Sequence, residues 1–207
     1  MKPLLMMFVF ALLEASAFAT VRYVSKDGTG NFTTIQAAIN AAVAGDTIVI
    51  RGDQGRWNEG PIVDRRLTIM GQGSGCSNVA ATEMGGGFTF NFGSGNSVIA
   101  GLYFNLINSG GSTASLSGNV QGISIRRCRI STAGSWITLN LNIGSSIQVQ
   151  ESSIITASDP STRVAELAVN ASLTLVNCVI SQVGGGQGGS IASSGADNIF
   201  LTNCPDC

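Results

Sequence analysis

The chain of 207 residues contains no histidine and few charged side chains. Lysine and arginine together number 11, aspartate and glutamate number 12, and charged residues make up only 11% of the sequence. Without imidazole the chain cannot build a Ser-His-Asp or Cys-His catalytic site, a histidine-ligated zinc centre or a histidine general acid. A formal net charge of −1 gives no long-range field that would attract nucleic acid. The composition therefore argues against these catalysts and against a nucleic-acid partner.

Residues 1–19 have the organisation of a secretory signal peptide. Lys2 supplies a positive charge, residues 4–13 are apolar, and Ala17-Phe-Ala19 is a small-any-small cleavage site. This apolar stretch is too short to cross a hydrocarbon core about 30 Å thick, and no later segment is longer. We expect cleavage near Thr20, a secreted or cell-surface protein with no membrane span, and a single domain over residues 20–207. The alternative is an N-terminal core helix or a retained anchor.

The chain is rich in short apolar strands that repeat. They recur at intervals of 21, 24, 26 and 26 residues, beginning at Leu102, Ile123, Ile147, Leu173 and Ile199. Each copy reads apolar, any, apolar, two mostly polar residues, then a small or sulfur-bearing residue, and many of the 27 glycines cluster as turns between strands. Strands this short cannot bury a face alone, so the copies must stack. We predict an all-β, right-handed parallel β-helix of about seven or eight coils, about 4.8 Å apart.

A short helix over residues 34–43 is expected to cover the first coil. Thr33 and Gln36 have the spacing of a capping box. Apolar residues follow at helical spacing, namely Ile35, Ala38, Ile39 and Ala42. Gly45 sits where a left-handed C-terminal cap is expected. A solenoid needs such a cover because an open end exposes apolar core and unpaired backbone groups.

Two adjoining N-terminal segments carry a family resemblance. They read Tyr23-Val-Ser-Lys-Asp-Gly-Thr-Gly-Asn-Phe-Thr-Thr-Ile-Gln-Ala-Ala-Ile39 and Ala44-Gly-Asp-Thr-Ile-Val-Ile50. They resemble the opening of secreted parallel β-helix proteins of the pectin lyase-like superfamily, and of pectin methylesterases in particular. Gly55-Arg-Trp57-Asn-Glu59 stands where that family has a Gly-any-Tyr-any-Glu element. More loosely, Gly188-Gly-Ser-Ile191 and Phe200-Leu-Thr-Asn203 resemble tetrapeptides of polymorphic outer-membrane-type β-helix proteins. The resemblance implies a protein that contacts extracellular polysaccharide.

The catalytic elements of the resembled families have no counterpart in this sequence. The paired aspartates and Arg-Pro-Trp element of pectin methylesterases are missing, as are the Gly-His-Gly element of polygalacturonases and the aspartate cluster of pectate lyases. Hydrolysis of a glycosidic bond needs two facing carboxylates. The acidic residues are scattered: Asp53, Glu59, Asp64, Glu83, Glu151, Asp159, Glu166 and Asp197. We expect a carbohydrate-binding or structural module without metal or cofactor; the alternative is a polyuronate lyase or carbohydrate esterase with a different site.

One coil is rich in arginine, and the next places a glutamate beside it. Arg127 and Arg129 follow the anchor Ile123, and Glu151 holds the position of Arg127 one coil later. An arginine grips a uronate carboxylate or a sulfate through two parallel hydrogen bonds, so these residues are candidates for contact with acidic glycans. An exposed ion-pair stack on a solvated face is the alternative.

The position after each anchor should point outward, because side chains alternate along a strand. That row is predicted to contain Tyr103, Ser124, Gln148, Thr174 and Phe200. Polar groups between two aromatic rings suit a sugar chain, although ordinary sheet surface explains the same row. Ile125 and Leu175 should point into the core.

Cys128, Cys178 and Cys204 share one repeat position, with Ser152 in the copy between the first two. Cys178 and Cys204 on adjacent coils, about 4.8 Å apart, lie within the Cα range of a disulfide. We prefer an inward stack of free thiols. With Cys76 and Cys207 the total is an odd five, so pairing between molecules stays open.

The C-terminal coil has no obvious cover, since only eight residues follow Ile199. We expect either that the native protein continues beyond residue 207 or that it self-associates through its C-terminal coil. Asn177 and Asn203 share a turn position that suits a structural asparagine ladder. Asn31-Phe-Thr33 and Asn170-Ala-Ser172 are glycosylation sequons that matter in a eukaryotic source.

Overall fold

A computed structural model shows the chain as a right-handed parallel β-solenoid with one short helix. The structure describes residues 19–72, 82–106, 111–132, 137–157, 162–183, 190–195 and 198–204. The expected all-β class, parallel pairing and N-terminal helix are confirmed. Residues 1–18 of the expected signal peptide, together with Cys76 and Cys207, lie outside the described residues. No helix in the described part of the chain has the length and hydropathy needed to span a membrane.

The strands form three parallel sheets, and neighbours within a sheet belong to successive coils. Sheet A contains β1 (Val21–Val24), β2 (Thr47–Ile50), β4 (Thr68–Gly71), β7 (Val98–Ala100), β10 (Ile123–Arg126), β13 (Ser146–Gln150), β16 (Ser172–Val176) and β19 (Asn198–Thr202). Sheet B contains β5 (Thr82–Met84), β8 (Leu102–Asn105), β11 (Arg129–Thr132), β14 (Ser153–Ala157) and β17 (Val179–Val183). Sheet C contains β3 (Ile62–Val63), β6 (Phe88–Phe90), β9 (Ala114–Leu116), β12 (Ile137–Leu141), β15 (Arg163–Leu167) and β18 (Ser190–Ser193).

The described residues make about six coils, slightly fewer than the seven or eight expected. Sheet C has six strands, one for each complete turn, whereas sheet A has eight. Sheet A is longer because β1 precedes the helix and β19 begins a turn after the last strand of sheet C.

The predicted repeat is correct for four of its five anchors. Ile123, Ile147, Leu173 and Ile199 are successive register partners in sheet A. The assignment of Leu102 as an anchor of this repeat is wrong, because Leu102 lies in sheet B opposite Thr82. In sheet A the preceding coil contributes β7, with Val98 opposite Ser124, 26 residues earlier. The apolar alternation of Leu102-Tyr-Phe104 identifies a strand correctly but does not say which sheet receives it.

The core consists of apolar side chains stacked in rows along the solenoid axis. One row of sheet A contains Ile99, Ile125, Val149 and Leu175, all with no exposed surface. Side chains alternate in and out along each strand, so Thr174 is on the outer face and half-buried. The predicted inward positions of Ile125 and Leu175 are confirmed.

Helix α1 (Ile35–Ala41) is the predicted capping helix, and its buried side is formed by Ile35, Ala38 and Ile39. The hydroxyl of Thr34 accepts from the Ala37 amide at 3.3 Å. The Glu59 carboxylate, on a distant loop, accepts from the amides of Ile35 and Gln36 at 3.0 to 3.2 Å. These contacts satisfy the free amides of the first turn.

Two details of the predicted helix ends are wrong. Gln36 does not reach back toward Thr33; its side chain bonds the backbone N and O of Ile62 instead. The helix ends with Ala42 in an extended conformation, and Gly45, at φ 97°, belongs to the turn into β2. The local sequence suggested a self-contained helix, but Thr34 caps only one amide and the distant Glu59 accepts from the other two.

Candidate functional site

The six residues expected to bind carbohydrate are divided between two sheets and the turn that joins them. Gln148 and Phe200 lie in the predicted row of sheet A, whose order is Ser124, Gln148, Thr174 and Phe200 on successive strands. Ser124 is buried, because the Arg126 side chain lies against it and donates to its hydroxyl at 2.8 Å. Tyr103 does not belong to this row. It lies on sheet B opposite Arg129, and Val98 takes its place in sheet A. The misplacement follows from the wrong anchor at Leu102.

Arg127 and Glu151 form the turn between sheets A and B in successive coils, and both have a left-handed backbone at φ 49°. Asn177 and Asn203 hold the same position at φ 52° and 51°. Their amides continue the ladder between coils, for example Arg127 N to Gln150 O at 3.0 Å. Left-handed φ is uncommon outside glycine and asparagine. This row therefore shapes the backbone of the corner, and its side chains project outward.

The Arg127 and Glu151 side chains form an exposed ion pair. Nε of Arg127 lies 3.6 Å from Oε2 of Glu151, and the two side chains are 74% and 60% exposed. Such pairs contribute about 0 to 1 kcal/mol to folding. The negative charge of Glu151 also offsets the positive charge of Arg127 that would attract an acidic glycan. Binding of acidic glycans at this corner stays a prediction.

Arg129 lies around the corner on sheet B, over the ring of Tyr103. Its guanidinium carbon is 5.0 Å from the ring centroid, a cation–π contact. On the other side of Tyr103, Glu83 is its register partner. The Glu83 carboxylate accepts a hydrogen bond from the side-chain Nδ2 of Asn105 at 2.8 Å. These polar groups contact one another along the surface of sheet B.

A groove with a volume of about 450 Å³ runs along the outer side of sheet C. Its first polar row consists of register partners on three successive strands, Ser115, Asn140 and Glu166. A second row lies just past the ends of the strands: Ser117, Asn142, Ala168 and Ser194. The buried residues Leu116, Leu141 and Leu167 form the strand positions between the rows. The groove therefore presents similar polar groups coil after coil.

Most of the polar groups in this groove are uncharged hydroxyls and amides. Glu166 is the one carboxylate among the described residues that line it, and its Oε2 lies 3.6 Å from Nη1 of Arg163. Hydroxyls and amides both donate and accept hydrogen bonds. The groove can therefore form hydrogen bonds to the hydroxyl groups of an uncharged sugar chain.

This groove was not predicted from the sequence, although the sequence contains a signal for it. Ser115, Asn140 and Glu166 follow one another at 25 and 26 residues, close to the spacing of the sheet A anchors. Their strands begin with less regular apolar patterns, such as Ala114-Ser-Leu116, and were not part of the repeat as defined. A search for polar residues at the same period would have found the row.

A second cavity of about 250 Å³ lies beside β1 and is lined in part by Ser25, Thr29 and Arg51. Arg51 Nη1 donates to Thr29 Oγ1 at 2.6 Å. Hydrogen bonds from Ser25 and Thr29 hold the pKa of the nearby Asp27 carboxyl well below its usual range. These contacts order the loop between β1 and α1.

The cysteines of the repeat are free thiols, as preferred from the sequence. Cys128 and Cys178 are buried and Cys204 is partly buried. Burial raises the pKa of the Cys128 thiol to about 12, and burial also raises that of Cys178. Thiols that stay protonated are poor nucleophiles and poor metal ligands. Within the described ranges, no three Cys, Asp or Glu side chains cluster as a metal site.

No protein-family model matches the sequence, and no curated protein matches it. Evidence for function therefore comes from the fold and from the geometry of the surfaces described above.

Proposed function

We propose that this protein is a secreted or cell-surface module that binds an uncharged polysaccharide along the groove of sheet C. The observation that carries the proposal is the repetition of polar side chains at one-coil spacing, with Ser115, Asn140 and Glu166 in one row. Neighbouring strands are about 4.8 Å apart. A surface that repeats its hydrogen-bonding groups regularly suits a polymer that repeats its hydroxyls regularly.

The charge in the groove favours a neutral ligand over a polyuronate. Glu166 would repel uronate carboxylates, and the nearby Arg163 is already within ion-pair distance of it. Burying an uncompensated carboxylate beside a second one is costly. A xylan, galactan or glucan presents hydroxyls without this penalty.

The same residues favour binding of a polysaccharide over its hydrolysis. Hydrolysis of a glycosidic bond uses two carboxyl groups placed on either side of it. Among the described lining residues the groove offers one, Glu166. The rival function, a polyuronate lyase or carbohydrate esterase, gains no specific support from this surface.

We also propose that the protein is exported and that it is a distant member of the pectin lyase-like superfamily. The charged, apolar and small-residue segments of residues 1–19 support a signal peptide. Three parallel sheets, coils of about 26 residues and a helical N-terminal cap support distant membership of the pectin lyase-like superfamily.

The test compares the groove with the outer face of sheet A on neighbouring coils. Asn140→Ala with Glu166→Ala removes polar groups from the groove, and Gln148→Ala with Thr174→Ala removes half-buried polar groups from sheet A. Affinity for soluble xylan, galactan and β-glucan is measured by isothermal titration calorimetry. Loss of two hydrogen bonds should weaken binding at least about tenfold in the groove variant, and the control should bind normally.

Two alternatives, binding of acidic glycans at the turn that carries Arg127 and catalysis, are tested in the same assays. If the corner is the site, Arg127→Ala with Arg129→Ala should weaken salt-sensitive binding to pectate or alginate while the groove variant binds normally. That outcome would move the ligand away from sheet C. New ultraviolet absorbance from unsaturated products of a polyuronate would favour the lyase instead.

A further inference from the structure

The two ends of the solenoid differ in how their strand edges are covered. At the N-terminal end, the free edge of β1 is occupied by the chain itself. The amides of Asn31 and Phe32 donate to Tyr23 O at 2.7 and 3.1 Å, and Ser25 N donates to Phe32 O at 2.8 Å. The second half of this edge is therefore paired within the chain.

The first strands of the other two sheets are also covered. The segment at Trp57 runs parallel to β5, with Trp57 N donating to Glu83 O and Gly85 N to Trp57 O, both at 2.8 Å. Beside β3, the Gln36 carboxamide takes the place of a strand, accepting from Ile62 N at 2.8 Å and donating to Ile62 O at 3.3 Å. Together with α1, these contacts close the N-terminal end.

The opposite end is open in the described part of the chain. β17, β18 and β19 are each the last strand of their sheet. Ile199 and Leu201 continue the two inward rows of sheet A but are 40% and 58% exposed. Their register partners Leu173 and Leu175 have no exposed surface. The apolar core therefore reaches solvent here, beside three strand edges.

The terminal strands lack the features that usually protect such edges. Proteins discourage pairing of exposed edges with charged residues, prolines or bulges. β17, β18 and β19 contain no Lys, Arg, Asp, Glu or Pro, whereas β15 in the preceding coil carries Arg163 and Glu166. No like charges would oppose each other if two such ends met.

We propose that this end is the interface of a tail-to-tail dimer of the chain. Head-to-tail contact is disfavoured because the helix and the paired segments described above cover the N-terminal edges in part. Two open ends can meet only about a two-fold axis, which closes the assembly at two copies. Rotation about an axis through the middle of β19 sets the five residues of β19 antiparallel to their copy. β17 and β18 end one coil earlier, so β19 is the strand that pairs across the axis.

The oligomeric state tests the proposal. Light scattering after size exclusion should give twice the mass of a single mature chain for the purified protein, with no larger species as its concentration rises. Leu201→Lys, which places a charge in the interface, should be monomeric. Phe92→Lys, at a residue 84% exposed in the turn after β6, should stay dimeric. A monomer at every concentration, a dimeric Leu201→Lys variant or open-ended growth would overturn the proposal.

A cross-link tests the arrangement independently of that variant. In a background with Cys76, Cys204 and Cys207 replaced by serine, Phe200→Cys should form a covalent dimer on mild oxidation. Phe200 is the central residue of β19, so its copy would lie directly opposite, with Cβ atoms about 4.5 to 5.5 Å apart. Thr174→Cys, in the same outward row one coil earlier, should stay uncoupled. Failure of Phe200→Cys to couple, or equal coupling of both, would overturn the two-fold pairing.

Discussion

Asp46 is the residue that joins the separate pieces of the first coil. Its buried carboxylate accepts hydrogen bonds from Thr20 N at 2.8 Å and from Val43 N and Arg22 Nε at 3.0 Å. Burial alone would raise the pKa of this carboxyl, but the three hydrogen bonds and the Arg22 charge together lower it. One side chain thus fixes the approach to β1, the exit from α1 and the start of β2.

Replacing Asp46 with asparagine should destabilise the fold in a pH-dependent way. The folded-state pKa lies below the unfolded value of about 3.9, so the carboxylate stabilises the protein above that pH. This contribution is lost as the pH falls through the folded-state pKa. Urea denaturation at pH 7 should show a loss of about 1 to 3 kcal/mol, and the gap to wild type should shrink toward pH 2.

Glu151→Gln is the control for that measurement, because it removes an exposed carboxylate from an ion pair of similar chemistry. We expect it to cost less than about 1 kcal/mol at pH 7. An Asp46→Asn variant as stable as this control, or equally destabilised at every pH, would contradict the role assigned to the charge.

The A–B corner shows how far single residues could be predicted. Asn177 and Asn203 were expected at a shared turn position because they hold the same place in the repeat, and both adopt the left-handed backbone that asparagine tolerates. The structure extends that conformation to Arg127 and Glu151, whose residue types gave no such signal. The stacking of coils imposes the backbone there, and a local propensity does not contain that information.

At the scale of strands, the alternation of apolar and polar residues predicted where strands lie better than it predicted which sheet each strand joins. Leu102-Tyr-Phe104 and the sheet A strands share the same pattern, and only the interval distinguishes them. The true sheet A position before Ile123 is Ser97, a buried serine. Its hydroxyl accepts from Leu67 N at 2.9 Å and donates to Ser94 O at 2.6 Å. A search for apolar anchors passes over a serine whose polarity is satisfied internally.

The capping helix was predicted at the right place, but its partners were not. Glu59 lies 24 residues from Ile35, and Gln36 reaches 26 residues forward to Ile62. Contacts at such separations depend on the closed first coil. Local sequence therefore predicted that α1 exists, and tertiary structure determines how it is held.

Glu59→Ala should loosen this helix. A helix of seven residues is not stable alone, and loss of its carboxylate cap should cost about 0.5 to 2 kcal/mol. Hydrogen exchange should accelerate at the amides of Ile35 and Gln36, and urea denaturation should report the lost stability. The exposed neighbour Asn58→Ala should stay within about 0.5 kcal/mol of wild type. Unchanged exchange at α1 in the Glu59 variant would show that another group caps the helix.

Across the whole molecule, each coil packs mainly against the coils beside it, so stability is approximately a sum of coil and interface terms. The first coil gains from α1, Asp46 and the paired edges, whereas the last coil has one neighbour and exposes Ile199 and Leu201. The monomer should therefore lose structure progressively from its C-terminal end.

Hydrogen exchange with mass spectrometry should reveal this gradient and its reversal by dimerisation. In Leu201→Lys, β19 amides should exchange at least about tenfold faster than those of β10, because β19 pairs on one side only. In concentrated wild-type protein, β19 should slow toward β10 and accelerate again on dilution, whereas β10 should not change. Uniform protection in the variant would show that the coils unfold as one unit. A wild-type β19 that stays fast at every concentration would show that nothing pairs with its edge.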